Sequence, residues 1–215
     1  LGDRTHVVSE FHRLWYNRAN TTWKSLRWCG VPVQKCPFDL WMYQEILTQV
    51  RPEAIIETGT LYGGSALFLA HCCDLLGVGE VLTIDRARIP GWTYPEHPRI
   101  TYVIGDSVAP GIRAVVQAWV AARAPQRVCV VLDSDHRAPH VVAELEAYAP
   151  YVTPGGYCIV EDSNLNGHPV WPTYGPGPAE ALAQWLPRHP EFTVAHEWER
   201  LLLTFNPGGY LRRVG

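Results

Sequence analysis

Two groups of residues in this chain could do chemistry, and each stands where a short apolar run ends. The first is Glu57-Thr58-Gly59-Thr60-Leu61-Tyr62-Gly63-Gly64-Ser65, an acid followed by a glycine-rich turn that opens an apolar, helix-like segment. Glycines there let a ligand approach the backbone closely, and the amides that start the next helix can receive a negatively polarised group. The pattern is not the GxGxxG dinucleotide fingerprint, because position 61 is Leu and Glu57 would meet a pyrophosphate with like charge. An acid at that point suits a ligand that carries an ammonium group, as S-adenosylmethionine does. Asp85 ends the next apolar run, where an α/β nucleotide site places the acid that bonds both ribose hydroxyls. Asp106, in Gly105-Asp106-Ser107, ends the third and could bond the adenine amino group.

The second group is Asp133-Ser134-Asp135-His136 together with Glu161-Asp162, at the ends of two further runs. Carboxylates gathered at neighbouring strand ends repel one another unless something positive sits among them. A hard divalent cation satisfies that need, and magnesium, with its preference for oxygen ligands, suits Asp133, Glu161 and Asp162 better than zinc does. A substrate hydroxyl beside such an ion becomes more acidic, and His136 could take its proton, with Asp135 the second candidate. The acids could instead cap helices or pair with Arg137 and Arg86. Against capping, Glu161-Asp162 leads into Ser163-Asn164-Leu165-Asn166-Gly167, a loop and not a helix start.

The elements that must position these residues follow from periodicity. Nearly continuous apolar runs at Ala54–Glu57, Glu80–Asp85, Ile100–Gly105, Val128–Asp133 and Gly156–Glu161 predict strands covered on both faces, as in a parallel sheet. Helices predicted over Ser65–Leu76, Pro110–Ala124 and His140–Ala149 are long enough for crossovers between them. Asp39–Val50 reads as a helix capped by Asp39, and Pro178–Leu186 as another. Glu191–Trp198, Arg200–Phe205 and Tyr210–Val214 read as antiparallel strands, the last two joined by the Asn206-Pro207-Gly208-Gly209 turn. The expected fold is α/β, a Rossmann-like, mostly parallel doubly wound sheet with an antiparallel C-terminal edge. Ligands of such sheets sit beyond the carboxyl ends of the strands, so topology alone puts all these acids along one crevice.

Composition bounds the rest. A length of 215 residues suits one compact domain, here divided into an aromatic N-terminal arm or lid over 1–38 and a catalytic domain over 39–215. A net charge of -3 gives no electrostatic footprint for nucleic acid, and no apolar run is long enough for a membrane span, so neither partner is expected and the chain reads as cytoplasmic. Six cysteines match no disulfide or zinc spacing and read as buried, reduced thiols. Of the tryptophans, Trp171 in His168-Pro169-Val170-Trp171-Pro172 is the best placed to face the crevice.

Five stretches carry a family resemblance: Trp41 to Leu47, Ile55 to Ala66, Leu132 to His136, Val160 to Asn164, and Thr204 to Leu211. They resemble the cephalosporin hydroxylase / rhamnosyl O-methyltransferase family, from about Gly30 to Arg213. The resemblance implies a class I methyltransferase fold, S-adenosylmethionine and Mg²⁺ as cofactors, and O-methylation of a hydroxyl on a small molecule, a sugar or natural-product glycoside. It implies Asp133, Glu161 and Asp162 as metal ligands and His136 as general base. Cofactor contacts are expected from Glu57, Thr58, Gly59, Tyr62, Gly63, Ser65, Asp85, Arg86, Asp106 and Ser107, and assembly as a homo-oligomer is expected too. A non-catalytic cofactor-binding subunit is the alternative. A hydroxylase is disfavoured, since an iron oxygenase commonly starts its ligand set from an HxD/E pair and none of His136, His168 and His196 begins one.

Overall fold

The computed structural model describes residues 4–215. In chain order the elements are α1 (Arg4–Asn17), a small hairpin of β1 (Arg27–Trp28) and β2 (Val31–Pro32), and α2 (Pro37–Val50). The alternating core follows as β3 (Ala54–Thr58), α3 (Gly64–Leu76), β4 (Glu80–Asp85), β5 (Ile100–Ile104), α4 (Pro110–Arg123), β6 (Val128–Leu132), α5 (Ala138–Tyr148) and β7 (Tyr157–Val160). Helix α6 (Pro178–Trp185) and strands β8 (Phe192–Val194) and β9 (Tyr210–Arg213) complete the chain.

Seven strands form one sheet in the order β5-β4-β3-β6-β7-β9-β8. The first five are parallel, and β9 runs antiparallel to both β7 and β8, as the sequence predicts for the C-terminal edge. Order reverses between β3 and β6, which places the ligand crevice at their carboxyl ends. Successive residues of the central strands serve opposite faces. Ile56, Leu82, Val130 and Val160 pack with Val116, Leu145 and Trp185 from α4, α5 and α6. Ile55, Val81, Val131 and Ile159 pack with Met42, Ile46 and Leu69 from α2 and α3. Each such buried aliphatic side chain contributes about 1.5–3 kcal/mol, so the strand ends that carry the acids rest on a rigid base.

Of the expected strand Glu191–Trp198 only Phe192–Val194 forms, because His196–Glu199 winds into a 3₁₀ turn, and two further expectations are corrected here. Arg200–Phe205 forms no strand: β9 is already paired on both sides, and this segment turns inward instead. Nor does Asp39 cap α2. The helix begins at Pro37, whose missing N–H suits the first turn, and Asp39 lies inside that turn, 1% exposed. Its carboxylate accepts the Phe205 N–H at 2.8 Å, the Thr204 hydroxyl at 2.5 Å and the Tyr210 hydroxyl at 2.8 Å. The same bonds explain both corrections, since they satisfy the Thr204–Phe205 segment without a strand partner. Five of the six free cysteines are buried, and Cys29 is exposed. No helix among the described residues is long and apolar enough to cross a membrane.

Candidate active site

Beyond the carboxyl edge lies a cavity of about 600 Å³. The glycine turn shapes one wall. Gly59 has φ +91, and a Cβ there would stand 1.9 Å from the Asp133 carbonyl oxygen, so only glycine lets this turn lie against the end of β6. Gly63, at φ +81, then starts α3. Of the expected cofactor contacts, Gly59, Tyr62, Ser65, Asp85, Arg86, Asp106 and Ser107 line the cavity. Glu57, Thr58 and Gly63 do not, and Glu57 and Thr58 lie fully buried behind the turn.

Glu57 is nonetheless incompletely paired behind the turn. Its Oε2 accepts the Thr83 hydroxyl at 2.6 Å, while Oε1 is buried with no hydrogen-bond partner among the described residues. Burial pushes its carboxyl up to about 7 against the pull of Lys35. An unsatisfied buried acceptor costs free energy that a cationic donor would restore. Asp85 accepts the Leu61 N–H at 2.7 Å and so fixes the glycine turn to β4, and Asp106 accepts the Val108 N–H at 3.1 Å.

On the other wall, Asp133, His136 and Asp162 each offer a ligand atom, and these atoms lie within 4.8 Å of one another. His136 Nε2 is 3.1 Å from Asp162 Oδ2 and 3.9 Å from Asp133 Oδ1. Asp162 reaches this position in the left-handed region at φ +56, with its N–H donated to Asn206 Oδ1. Burial raises the carboxyls of Asp133, Glu161 and Asp162, and their neighbouring negative charges raise them further. The donor set fits a hard cation: carboxylate oxygens converge where they repel one another, at the open end of the sheet. Glu161 stands behind this group, 4% exposed and off the cavity wall. Asp135 lines the cavity, but Arg137 holds it from two nitrogens and keeps its carboxyl down at about 2.

Sequence reasoning missed Lys35. It sits between β2 and α2, 3% exposed, and its ammonium donates to Asp133 Oδ2 at 2.5 Å and to Glu161 Oε1 at 2.5 Å. Burial alone would lower this ammonium, yet the carboxylates of Asp133, Glu161 and Glu57 raise it overall. The chain has two lysines, Lys24 and Lys35, and Lys35 lies in the largely apolar stretch Val31–Phe38, interrupted otherwise by Gln34 alone, which was the available signal. Also missed was Glu144 on α5, 1% exposed, which accepts the hydroxyls of Ser107 and Ser134 and so joins the loop after β5 to the acid loop after β6.

The arm closes the far side. Tyr16, Trp23, Lys24 and Gln34 from it line the cavity with Trp171 and Tyr174, so the expectation for Trp171 holds. Helix α1 is fastened by His12, whose ring stacks on Phe205 and whose Nε2 accepts from the Asn164 amide at 2.9 Å.

Residues 20–214 match the family model described as Rhamnosyl O-methyltransferase/CmcI. A rhamnosyl O-methyltransferase of Mycobacterium leprae is 36% identical over 211 residues, 96% of this chain and 90% of that protein. One from Mycobacterium tuberculosis is 36% identical over 219 residues, 96% of this chain and 85% of that protein. Among solved structures, CmcI in a Mg-SAM form superposes with a TM-score of 0.68 at 21% identity, covering 89% of this chain and 78% of that one. A CmcI structure with SAH gives 0.61 at 18% identity, covering 88% and 82%. These structural likenesses concern the fold.

Proposed function

This chain belongs to the rhamnosyl O-methyltransferase/CmcI family, and from that premise we propose that it methylates a hydroxyl of a sugar-bearing small molecule with magnesium bound at its acid cluster. It is an S-adenosylmethionine-dependent O-methyltransferase. The observation that carries the finer reading is the pairing of an unsatisfied buried acceptor, Glu57 Oε1, behind the glycine turn of one cavity wall with the converging Asp133–His136–Asp162 group on the other. When bound, the cofactor supplies an electrophilic sulfonium methyl, and the dication supplies positive charge that acidifies a hydroxyl beside it.

The chain's own residues do the rest. Glu57 receives the ammonium end of the cofactor, Asp85 the ribose and Asp106 the adenine, with Gly59, Tyr62, Ser65, Arg86 and Ser107 forming the wall around them. Thr58 and Gly63 act through the backbone they shape. Asp133 and Asp162 would hold the dication, with Glu161 behind them joined through Lys35. His136, already within reach of this group, takes the proton of the attacking hydroxyl, and Asp135 stays committed to Arg137. The arm works as a lid: Tyr16 and Trp23 with Trp171 and Tyr174 give the acceptor flat apolar faces to pack against and exclude water. Orientation in such a site supplies several kcal/mol of the rate gain. Assembly into a homo-oligomer belongs to the same reading and is checked by the mass in solution.

Calorimetry with S-adenosylhomocysteine, with and without Mg²⁺, followed by turnover on rhamnosylated and non-glycosylated phenolic acceptors read by product mass, tests the reading. Cofactor binding with magnesium-stimulated methylation of the glycosides is expected. Equal turnover in chelator, or methylation confined to the aglycones, overturns it.

A further inference from the structure

Two acids of the cluster, Asp133 and Glu161, answer to one buried cation. Lys35 bridges β6 and β7 through Asp133 Oδ2 and Glu161 Oε1, both at 2.5 Å, with its side chain and that of Glu161 almost shut from solvent. Asp133 is thereby divided, since Oδ2 is taken by Lys35 while Oδ1 is the oxygen nearer His136. Glu161 is held from behind as well, by the Tyr43 hydroxyl. In so dry a place, a lone ammonium neutralises charge that would otherwise force the strand ends apart or call for a metal ion. The other lysine, Lys24, is exposed at the cavity mouth and faces the ring of Trp23.

We infer that Lys35 is a positioning residue, the built-in counter-cation of the acid cluster, which keeps the site assembled without metal and limits how tightly it takes a dication. The inference rests on the reading that this cluster binds a dication. Its physical content is competition. Lys35 shares Asp133 and Glu161 with any ion that binds, so its charge lowers the ion's affinity while preserving the carboxylate geometry. Loss of that charge leaves buried acids with His136 as their remaining cationic neighbour, a deficit that a dication can compensate. A purely structural lysine would behave otherwise, for its loss would weaken the fold equally with and without metal.

The experiment uses the full chain as wild type, Lys35→Met and Lys35→Arg. Thermal unfolding is followed in EDTA and in Mg²⁺, and Mn²⁺ affinity is measured by calorimetry. Wild type is expected to remain folded in EDTA. Lys35→Met should lose stability in EDTA, regain most of it in Mg²⁺, and bind Mn²⁺ roughly tenfold or more tightly than wild type. Lys35→Arg, which keeps the charge, should stay near wild type in metal affinity. Equal destabilisation of Lys35→Met in both media, unchanged or weaker Mn²⁺ binding, or failure to recover the variant even with Mg²⁺ present overturns the inference. If wild type binds no Mn²⁺ while Lys35→Met does, the counter-cation stands and the metal reading of the native site falls. If neither binds, both fall.

Discussion

Substituting Gly59 by alanine probes whether the turn and the acid loop form one site. Gly59 has φ +91, and an added Cβ would lie 1.9 Å from the Asp133 carbonyl oxygen and 2.5 Å from its carbon. Both partners are backbone, so no side chain can swing aside. Reaching ordinary contact near 3.4 Å requires the ends of β3 and β6 to part by roughly 1.5 Å, which breaks the 3.0 Å bond from the Asp133 N–H to the Thr58 carbonyl. The left-handed backbone adds about 1–2 kcal/mol and the lost hydrogen bond and packing bring the total to about 3–5 kcal/mol. For a chain of this size that is a drop in Tm of roughly 6–20 °C. Gly77→Ala is the control: it too has positive φ, at +67, but meets nothing within 4 Å, so about 1 kcal/mol, or roughly 2–4 °C, is expected. Thermal unfolding and S-adenosylhomocysteine calorimetry read both variants. A Gly59→Ala protein as stable as Gly77→Ala, or one that binds S-adenosylhomocysteine like wild type, refutes the idea that this contact builds the cavity.

Three further outcomes follow from the same geometry. His136→Ala should bind S-adenosylhomocysteine normally, because the residue faces the acids and not the glycine turn, yet lose about 10²–10⁴-fold in turnover; unchanged turnover removes it as the base. Asp39→Ala strands the Thr204 and Tyr210 hydroxyls and the Phe205 N–H, and denaturant unfolding should show a loss of about 3 kcal/mol or more. Burial holds the His12 imidazole down at about 4, below its unfolded value near 6.5, so the unfolded or detached arm takes the proton first. Docking of the arm is therefore complete above pH 6.5 and is lost as pH falls toward 4, by about 3 kcal/mol in all. Hydrogen exchange over residues 4–25 should report this slope in wild type and not in His12→Gln; equal slopes would show that another group drives it.

The central strands and crossover helices were legible because apolar runs and helical periods are local properties, and the acids at Glu57, Asp85, Asp106, Asp133 and Asp162 were legible because topology gathers strand ends whatever their partners. What escaped depended on partners remote in sequence. Asp39 looks like a helix cap until Thr204 and Tyr210 arrive to use its carboxylate. Arg200–Phe205 looks like a strand until β9 is seen to have both edges occupied. Glu161 looks like a metal ligand equal to Asp162, and only the position of Lys35 shows that the two adjacent acids face different companions.

That asymmetry between Glu161 and Asp162 also explains why the elements outside the parallel sheet matter to the chemistry. Adjacent residues of an extended strand point to opposite faces, so a strand continued through Asp162 would aim its carboxylate away from Glu161 with no choice of angle. The chain instead leaves the strand at Asp162 with φ +56, and the turn is held by Asn206, whose Oδ1 accepts the Asp162 N–H while its amide donates to Tyr43 at 3.0 Å. Tyr43 in turn contacts Glu161, so one C-terminal asparagine references both acids to helix α2. The Thr204–Asn206 segment is itself fixed by Asp39 on the same helix. The angle at which Asp162 meets His136 is thus set from behind the sheet, by residues off the cavity wall.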